Sequence, residues 1–392
     1  MLHYASSALL LPTLLVLSTS LSAAVITVGP DETITRIAEA ARLALDGDTV
    51  LIKHGTYRGD VAVWTQKQLE IRGIGGRPVL VADGNSAEGK AIWVFRNGDY
   101  RVENIEFRGT RVADGNGAGI RFERGALNVT NCIFEDNQTG ILTANFEDAE
   151  LHIRSSVFSN APRDGSALPH LLYVGRITRL TIEGSRFHDG FRGHLIKSRA
   201  RHNELRYNFV YDGPDGEASY EIDLPDGGDA LLVGNIIGQS AGSQNPIVVA
   251  FGAEGPSWPN SRLQLSHNTF INEGWRPAWF VRSWQDKLPA GTEIITRNNL
   301  TVGLGAFTTA LPGDHRGNFP LLPGALDPAV LDLTLNQSAL LRGRVEAAEP
   351  PHLAPSAEFA FPRGTRPLPP PQNWTPGAFQ NTELSIGHDL KQ

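Results

Sequence analysis

Cysteine and methionine are almost missing from this chain of 392 residues, which contains one of each. Because Cys132 has no second cysteine to pair with, an internal disulfide is excluded and the fold depends on core burial. Cys132 stands between apolar neighbours, and we predict that it is an inert filler. An excess of basic residues is also missing, since the net charge is −7. This acidic balance argues against a nucleic-acid partner.

Long hydrophobic runs are missing after the N-terminal segment, so no later stretch is long enough to span a bilayer. The N-terminal segment itself has an apolar run from Ala8 to Leu17. Ser22 and Ala24 follow it as small residues at the −3 and −1 positions of a signal-peptidase site. We therefore predict a signal peptide over residues 1–24 and export of the chain. An uncleaved membrane anchor is the alternative.

Helical periodicity is scarce after residue 60, whereas short apolar pairs punctuated by glycine recur and favour an all-β fold. The repeated motif is an apolar residue, two residues, a ladder residue, one residue and a closing apolar residue, as in VTNCIF. The closing residues recur every 23 to 33 positions or so; they are Phe107, Phe134, Phe158, Phe187, Val210, Ile237, Phe270 and Leu300. The predicted ladder or turn residues include Asn104, Asn131, Asn208, Asn235, Asn268 and Asn298.

Such a period predicts a parallel β-helix, in which each coil stacks on the previous one with its apolar side chains inside. The segment TITRIAEAARLAL has apolar residues at helical spacing and predicts a helix that caps the open N-terminal end. The proline-rich C-terminal part predicts an extended tail that wraps the solenoid. The predicted domains are the signal peptide, a β-helix over 25–310 and the tail over 311–392.

Ionisable residues are concentrated in the centre of the repeats. Five Lys or Arg and two His lie between residues 192 and 206, and seven carboxylates lie between residues 212 and 229. Aligning the inward pairs of adjacent repeats sends Tyr173, Lys197 and Asp223 outward in one column, with neighbouring strands about 4.8 Å apart. A slip of one residue would place Glu221 opposite Lys197 instead.

Such a column has the groups needed to remove the proton α to a uronate carboxylate. That reaction requires a base, a cation that neutralises the carboxylate and an acid for the leaving oxygen. We predict Lys197 or His194 as the base, Arg199 as the neutralising cation and Tyr173 as the acid. Neighbouring cations are expected to lower the pKa of Lys197. The structural alternative is a simple ion pair between Lys197 and Asp223.

Further residues are predicted to bind the substrate, as charged partners or as aromatic rings that stack on sugars; they are His170, Arg192, Arg201, Glu221, Asp223, Trp275 and Trp279. For the tryptophans, packing against the side of the solenoid is an equal alternative. Ca²⁺ is the other common means of masking a uronate charge, and its candidate ligands are Glu221, Asp223 and Asp226.

The segments GHLIKSRARHN, SYEIDLPDGG and VVAFGAEG resemble exported bacterial right-handed β-helix proteins of the pectate-lyase-like superfamily. The resemblance covers roughly residues 25–310, and GDTVLI with HGTY is similar to the N-terminal cap of such proteins. The superfamily includes pectate, alginate and chondroitin lyases and mannuronan epimerases. The calcium and arginine pattern of pectate lyases and the DPHD stretch of epimerases are not found here.

The resemblance implies a periplasmic or secreted protein that acts on an acidic polysaccharide, and we predict a monomer. Our first hypothesis is a polysaccharide lyase that works by β-elimination. A C5-epimerase would use the same proton abstraction. A glycoside hydrolase would need two carboxyls, for which Glu221, Asp223 and Asp226 are candidates. A non-catalytic carbohydrate-binding solenoid is the fourth hypothesis.

Overall fold

The computed structural model describes residues 23–164, 168–255, 257–326, 333, 335, 339–369, 371 and 373–380. The predicted signal peptide lies outside these residues except for its last two positions. One α-helix, α1 (Ile37–Leu43), is found in the described part. No helix in that part is long and apolar enough to cross a membrane.

Almost all other regular structure consists of short strands. In chain order they are β1 (Val25–Val28), β2 (Thr49–Lys53), β3 (Thr56–Arg58), β4 (Ala62–Trp64), β5 (Gln68–Ile74), β6 (Val79–Val81), β7 (Ala91–Glu103), β8 (Glu106–Arg108), β9 (Ala118–Thr130), β10 (Ile133–Glu135), β11 (Thr139–Thr143), β12 (Glu150–Arg154), β13 (Val157–Ser159), β14 (His170–Val174), β15 (Arg179–Glu183), β16 (Arg186–His188), β17 (Ile196–Ser198), β18 (His202–Arg206), β19 (Phe209–Tyr211), β20 (Ile222–Leu224), β21 (Asp229–Val233), β22 (Ile236–Gln239), β23 (Ile247–Phe251), β24 (Arg262–Ser266), β25 (Thr269–Asn272), β26 (Ala278–Ser283), β27 (Glu293–Arg297), β28 (Leu300–Val302), β29 (Gly305–Ala306), β30 (Asp314–Arg316), β31 (Phe319–Leu321), β32 (Ala357–Phe359) and β33 (Thr365–Pro367).

Strands β1 to β31 form three parallel stacks, to which the successive coils of the chain contribute, whereas β32 and β33 form a separate antiparallel pair. The first stack runs β4-β7-β9-β11-β14-β17-β20-β23-β26-β29, the second β1-β2-β5-β7-β9-β12-β15-β18-β21-β24-β27-β30, and the third β3-β6-β8-β10-β13-β16-β19-β22-β25-β28-β31. Strands β7 and β9 span 13 residues each and pass through both the first and the second stack. The predicted all-β parallel solenoid is confirmed. Pairing continues past residue 310, through β30 and β31.

The inside of the solenoid is built from the predicted closing residues. Phe107, Phe134, Phe158 and Phe187 pair with one another in register, and successive rings stack with centroids 5.1, 4.6 and 4.7 Å apart. Beyond Phe187 the stack continues along the solenoid with aliphatic residues. Each coil thus buries one large apolar side chain against that of the previous coil. The last predicted closing residue, Leu300, is wrong by one position, because Phe270 pairs with Thr301.

This shift has a physical cause in the sequence of the last coil. There the buried inward position next to Leu265 is Thr296 and not an apolar residue, so the apolar pattern points to the wrong register. A buried threonine is tolerated because Thr296 Oγ1 is 2.8 Å from His315 Nδ1. The polar partner replaces the apolar contact that the motif led us to expect.

A buried polar ladder runs beside the aromatic stack. Its members are Cys132, Ser156, Ser185, Asn208, Asn235, Asn268, Asn299 and Asn318. From Ser156 onward, each side chain accepts a hydrogen bond from the backbone amide of the previous member. The asparagine amides also donate along the ladder, as from Asn208 Nδ2 to Asn235 Oδ1 at 2.9 Å. The ladder positions of Asn208, Asn235 and Asn268 are thereby confirmed. Asn104, Asn131 and Asn298 lie instead at turns with positive φ.

The segments at both ends of the described part of the chain pack on the solenoid. Helix α1 buries Ile37, Ala40 and Ala41, and its first amides donate to the Asp60 carboxylate. The C-terminal segment runs over the second and third stacks, where the Gly364 amide donates to the Gly184 carbonyl. The described part of this segment reaches Gln380.

Candidate active site

The charged column lies on the outer surface of the first stack, in the predicted register. Tyr173 on β14 pairs with Lys197 on β17, and Lys197 pairs with Asp223 on β20. The neighbours of Lys197 in its strand, Ile196 and Ser198, point inward and are fully buried. Alternation along a strand then turns Lys197 toward the other face. Each level of this stack is called a rung below.

Lys197 is the centre of an ion-pair network. Its Nζ lies 3.1 Å from Asp223 Oδ2 on the next rung and 2.9 Å from Glu254 Oε1. The Lys197 ammonium is also 5.9 Å from the centre of the Tyr173 ring. Lys197 keeps 8% of its surface exposed and Asp223 keeps 1%. The Lys197 ammonium is thus almost completely shielded from solvent and lies between two carboxyl groups and the phenol of Tyr173.

The pKa values of these groups reflect burial and pairing. Burial alone would lower the pKa of Lys197, but the Asp223 and Glu254 carboxylates outweigh it and raise that pKa above its ordinary value. The expectation that neighbouring cations lower this pKa is therefore wrong, because the groups touching Nζ are anions. Burial raises the pKa of Asp223 to about 6, although Lys197 opposes the shift.

Glu254 was missed by the sequence reasoning, although it is central to the site. It lies in the loop that follows β23, and its carboxylate contacts both Lys197 and Arg199. Partial burial tends to raise the pKa of Glu254, but the hydrogen bonds from these two cations outweigh it and lower that pKa. The side chain of Glu254 remains 47% exposed. The available signal was the unusually long step between the repeats that flank this loop.

Arg199 connects the column to a second cluster on the neighbouring turn. Its guanidinium donates to Asp226 at 2.5 Å, and Nε lies 3.4 Å from the Tyr173 hydroxyl. Asp226 also binds Arg176 at 2.5 Å. The Arg176 guanidinium stacks over Trp258, 3.9 Å from the ring centre. The fork of Arg199 is thus held by carboxylates from two directions.

Arg201 belongs to the same cluster. Its guanidinium lies 4.7 Å from the centre of the Trp258 ring, on which Arg176 also stacks, and 3.4 Å from the Glu147 carboxylate. The structure thereby places the predicted substrate-binding residue Arg201 beside Arg199, at the edge of the column. Arg176 and Trp258 were not singled out from the sequence.

A row of aromatic rings lies next to the charged column. His170 and His194 have ring centres 5.0 Å apart, and His194 stacks on Tyr220 at 4.7 Å with the planes 10° apart. Burial lowers the pKa of His170 to about 3 and that of His194 well below its ordinary value, so both imidazoles are neutral at pH 7. His194 Nδ1 accepts from the Tyr220 amide at 3.3 Å. The proton of His194 is therefore on Nε2, which lies 3.4 Å from Asp223 Oδ2.

Comparison with known proteins addresses the fold. No protein-family model matches the chain, and no curated protein matches it in sequence. The structure is similar to the crystal structure of pectate lyase Pel9A, with a TM-score of 0.59 and 12% identity over 93% of this chain and 98% of that one. This likeness shows that the two proteins share the parallel β-helix fold. This confirms the resemblance that the repeats and central segments indicated.

Two other solved structures show a weaker similarity. An alginate lyase from Paenibacillus sp. str. FPU-7 has 16% identity over 77% of this chain and 99% of that one, with a TM-score of 0.48. The A-module of mannuronan C-5 epimerase AlgE6 from Azotobacter vinelandii has 14% identity over 73% and 93%, with a TM-score of 0.32. At such identities the likeness concerns architecture, and chemistry must be argued from the residues of the site.

Three predicted substrate-binding residues of this β-helix do not join the column. Arg192 is exposed on the turn before β17, where its guanidinium stacks on Phe191. Glu221 is completely buried, and neither of its carboxylate oxygens has a hydrogen-bond partner among the described residues. Glu221 therefore has no surface for a polymer to contact. Trp275 is 90% exposed in the loop after β25, beside the third stack.

The carboxyls considered for Ca²⁺ do not form a common cage in the β-helix. Asp223 and Asp226 are each paired with a cationic side chain, and Glu221 is buried apart from them. Within the described residues, no group of three or more His, Cys, Asp or Glu is arranged to hold a metal ion. A Ca²⁺ ion needs six to eight oxygen ligands, so this donor set does not fit it.

Proposed function

We propose that this protein is an exported polysaccharide lyase that cleaves a uronate-containing polysaccharide by β-elimination. One observation carries the proposal: Lys197 and Arg199 together hold the carboxylate of Glu254, which comes from a surface loop. The carboxylate of a bound uronate needs a cation to neutralise its negative charge, and Arg199 can supply it with Lys197 close by. Glu254 thus marks the position at which a substrate carboxylate would bind.

The residues of the column can be given roles in the elimination. Arg199 binds the uronate carboxylate as a fork, in the place that Glu254 holds. Lys197, in its neutral form, takes the proton from the carbon α to that carboxylate. The electron pair left on this carbon forms a double bond to the next ring carbon as the bond from that carbon to the glycosidic oxygen breaks. Tyr173, next to Arg199, donates a proton to the departing oxygen.

Lys197 is preferred to His194 as the base because of their hydrogen bonds. The His194 imidazole has its proton on Nε2, which points to Asp223, and its Nδ1 is occupied by a backbone amide. His194 therefore orients Asp223. Lys197 must lose its proton first, and its raised pKa predicts an alkaline optimum.

A glycoside hydrolase is the second candidate, and a specific observation favours it. Asp223, with a pKa of about 6, and Glu254, with a lowered pKa, both contact Lys197 Nζ. Two nearby carboxyls whose pKa values are pushed apart form the acid and base pair of many glycosidases. In this alternative Asp223 is the acid and Glu254 the base or nucleophile.

Several further expectations belong to the same proposal. The chain is exported after removal of residues 1–24 and acts as a monomer. Helix α1 covers the open end of the first coil, where it packs against β1 and β4. The C-terminal segment wraps the second and third stacks, which leaves the first stack accessible to a polymer.

The proposal is tested with the mature chain from Val25 onward, offered polygalacturonate and alginate at pH 7 to 10, with Ca²⁺ and then with a chelator. A lyase generates the ultraviolet absorbance of unsaturated uronate ends, and Lys197→Ala abolishes it. Release of reducing ends without that absorbance would replace the lyase by the hydrolase. Binding without either product would identify a carbohydrate-binding solenoid.

A further inference from the structure

The charged column continues beyond Asp223 toward the C-terminal end of the first stack. Asp223 pairs with Ala250 on β23, and Ala250 pairs with Arg282 on β26. Arg282 therefore occupies the same column as Lys197, three rungs further along. At the spacing of paired strands this places the two backbone positions about 14 Å apart. Ala250 is small and completely buried, so its own side chain does not project between Asp223 and Arg282.

Arg282 differs from the other cations of the column in its partners. Among the residues that the structure describes, no carboxylate lies within ion-pair distance of its exposed guanidinium. Its neighbours are two indole rings, with centres 4.6 Å away for Trp284 and 5.8 Å away for Trp279. The guanidinium is thus held in place by aromatic faces, while its hydrogen-bond donors remain available.

Trp279 extends the row of aromatic rings that lies beside the site. Trp279 on β26 pairs with Ile247 on β23. Ile247 stands two residues before Val249, which pairs with Ile222 on β20. Tyr220 likewise stands two residues before Ile222, so Trp279 lies two rungs beyond Tyr220 in the row. The Trp279 side chain is 37% exposed. The charged column and the aromatic row therefore both reach β26.

We propose that Arg282, Trp279 and Trp284 form a second uronate-binding subsite, so that the polysaccharide lies along the first stack and spans both sites. The fork of Arg282 binds a carboxylate, and an indole face packs on the apolar face of the same or the next sugar ring. This inference rests on the proposed function for its ligand class, but it concerns binding alone. It adds Arg282 to the residues considered from the sequence.

The test measures binding of uronate oligosaccharides of two and of eight residues by calorimetry, with Lys197→Ala as the common background so that no substrate is consumed. Adding Arg282→Ala is expected to reduce the affinity for the octamer about tenfold, which is the loss typical of one charge-assisted contact. The affinity for the dimer is expected to stay unchanged. Arg282→Lys keeps the positive charge but loses the planar fork of donors. Its affinity for the octamer should therefore lie between the affinities measured with Arg282 and with Arg282→Ala. Arg154→Ala, which removes an exposed arginine of the second stack, is the matched control.

Equal octamer affinity with and without Arg282 would overturn the subsite, as would equal losses for dimer and octamer. Failure of the proposed function gives a different result. If the wild-type protein binds the octamer through Arg282 but produces no unsaturated ends, the subsite is supported and the lyase activity is contradicted. A wild-type protein that binds neither oligosaccharide would overturn both.

Discussion

Lys197 Nζ lies 3.1 Å from Asp223 Oδ2 across one rung, and both side chains are more than nine-tenths withdrawn from solvent. Removal of one member of a buried ion pair is costly, because the remaining charge keeps no equivalent partner. Every variant of Lys197 therefore affects stability as well as chemistry. The two effects can be separated by changing both members of the pair.

Lys197→Ala is expected to reduce kcat by at least about 100-fold, the usual contribution of a general base. It should also lower the free energy of unfolding by about 3 kcal/mol, since Asp223 loses its cation. The double variant Lys197→Ala with Asp223→Asn should recover much of that stability and none of the activity. Lys67→Ala is the control for loss of an exposed lysine. Full activity in Lys197→Ala would move the base elsewhere.

Glu254→Gln is expected to lower KM about fivefold, because its carboxylate competes with the substrate for Lys197 and Arg199, and a half-exposed ion pair contributes about 1 kcal/mol. The variant also removes one group that raises the pKa of Lys197, so the rising limb of the kcat profile, which follows the loss of the Lys197 proton, should shift to lower pH. Steady-state kinetics across pH measure both effects, with Glu293→Gln as control. A loss of kcat instead would support the hydrolase.

The buried Glu221 predicts a pH-dependent stability. Burial raises its pKa well above the ordinary value, and Asp212, whose own pKa burial raises to about 7, adds to the effect. The folded chain therefore holds protons that the unfolded chain has lost, and stability falls as pH rises through the folded pKa values. Each unit of pKa difference corresponds to about 1.4 kcal/mol.

We expect the free energy of unfolding to decrease from about pH 6.5 to pH 8, a window above the ordinary histidine pKa. The buried histidines oppose this trend only at lower pH, because a lowered pKa costs stability below its unfolded value. Glu221→Gln should flatten the decrease, and Glu103→Gln should not. Denaturant titrations at the two pH values measure it. An unchanged slope in Glu221→Gln would show that Glu221 is not the source.

Asn235→Ala tests the polar ladder. Asn235 accepts from the Asn208 amide and donates to the Leu205 carbonyl and to Asn268. Its removal leaves buried backbone groups unsatisfied, which should cost about 2 to 3 kcal/mol of unfolding free energy. Chemical denaturation is the measurement, and Asn116→Ala at an exposed loop position is the control. A change below that of the control would mean that water or backbone shifts replace the amide.

The sequence was sufficient to predict the coil repeat and the register of the central rungs. Apolar residues there alternate with polar ones, and a slip of one residue would have buried Lys197 and exposed Ile196. The same rule failed at Leu300, where the inward position Thr296 is polar and satisfied by His315. Periodicity thus predicts register only where burial and hydrophobicity coincide.

The site was less predictable, because its key contacts come from a loop. Glu254 reaches Lys197 from 57 positions away, and no periodic pattern relates a loop residue to a rung. That contact also reversed the expected direction of the Lys197 pKa shift. Glu221 shows the opposite error, since charge suggested a surface role for a side chain that the turn before β20 buries.

The in-register pairing of the first stack sets a constraint on how such a surface can change. Groups in one column can be separated only by whole rungs, so the distance from Lys197 to Arg282 changes in fixed increments when a coil is gained or lost. Point substitution alters which charge stands on a rung, but not where the rung lies. The number of coils between Lys197 and Arg282 therefore sets the spacing of negative charges that a polymer must have in order to bind at both positions.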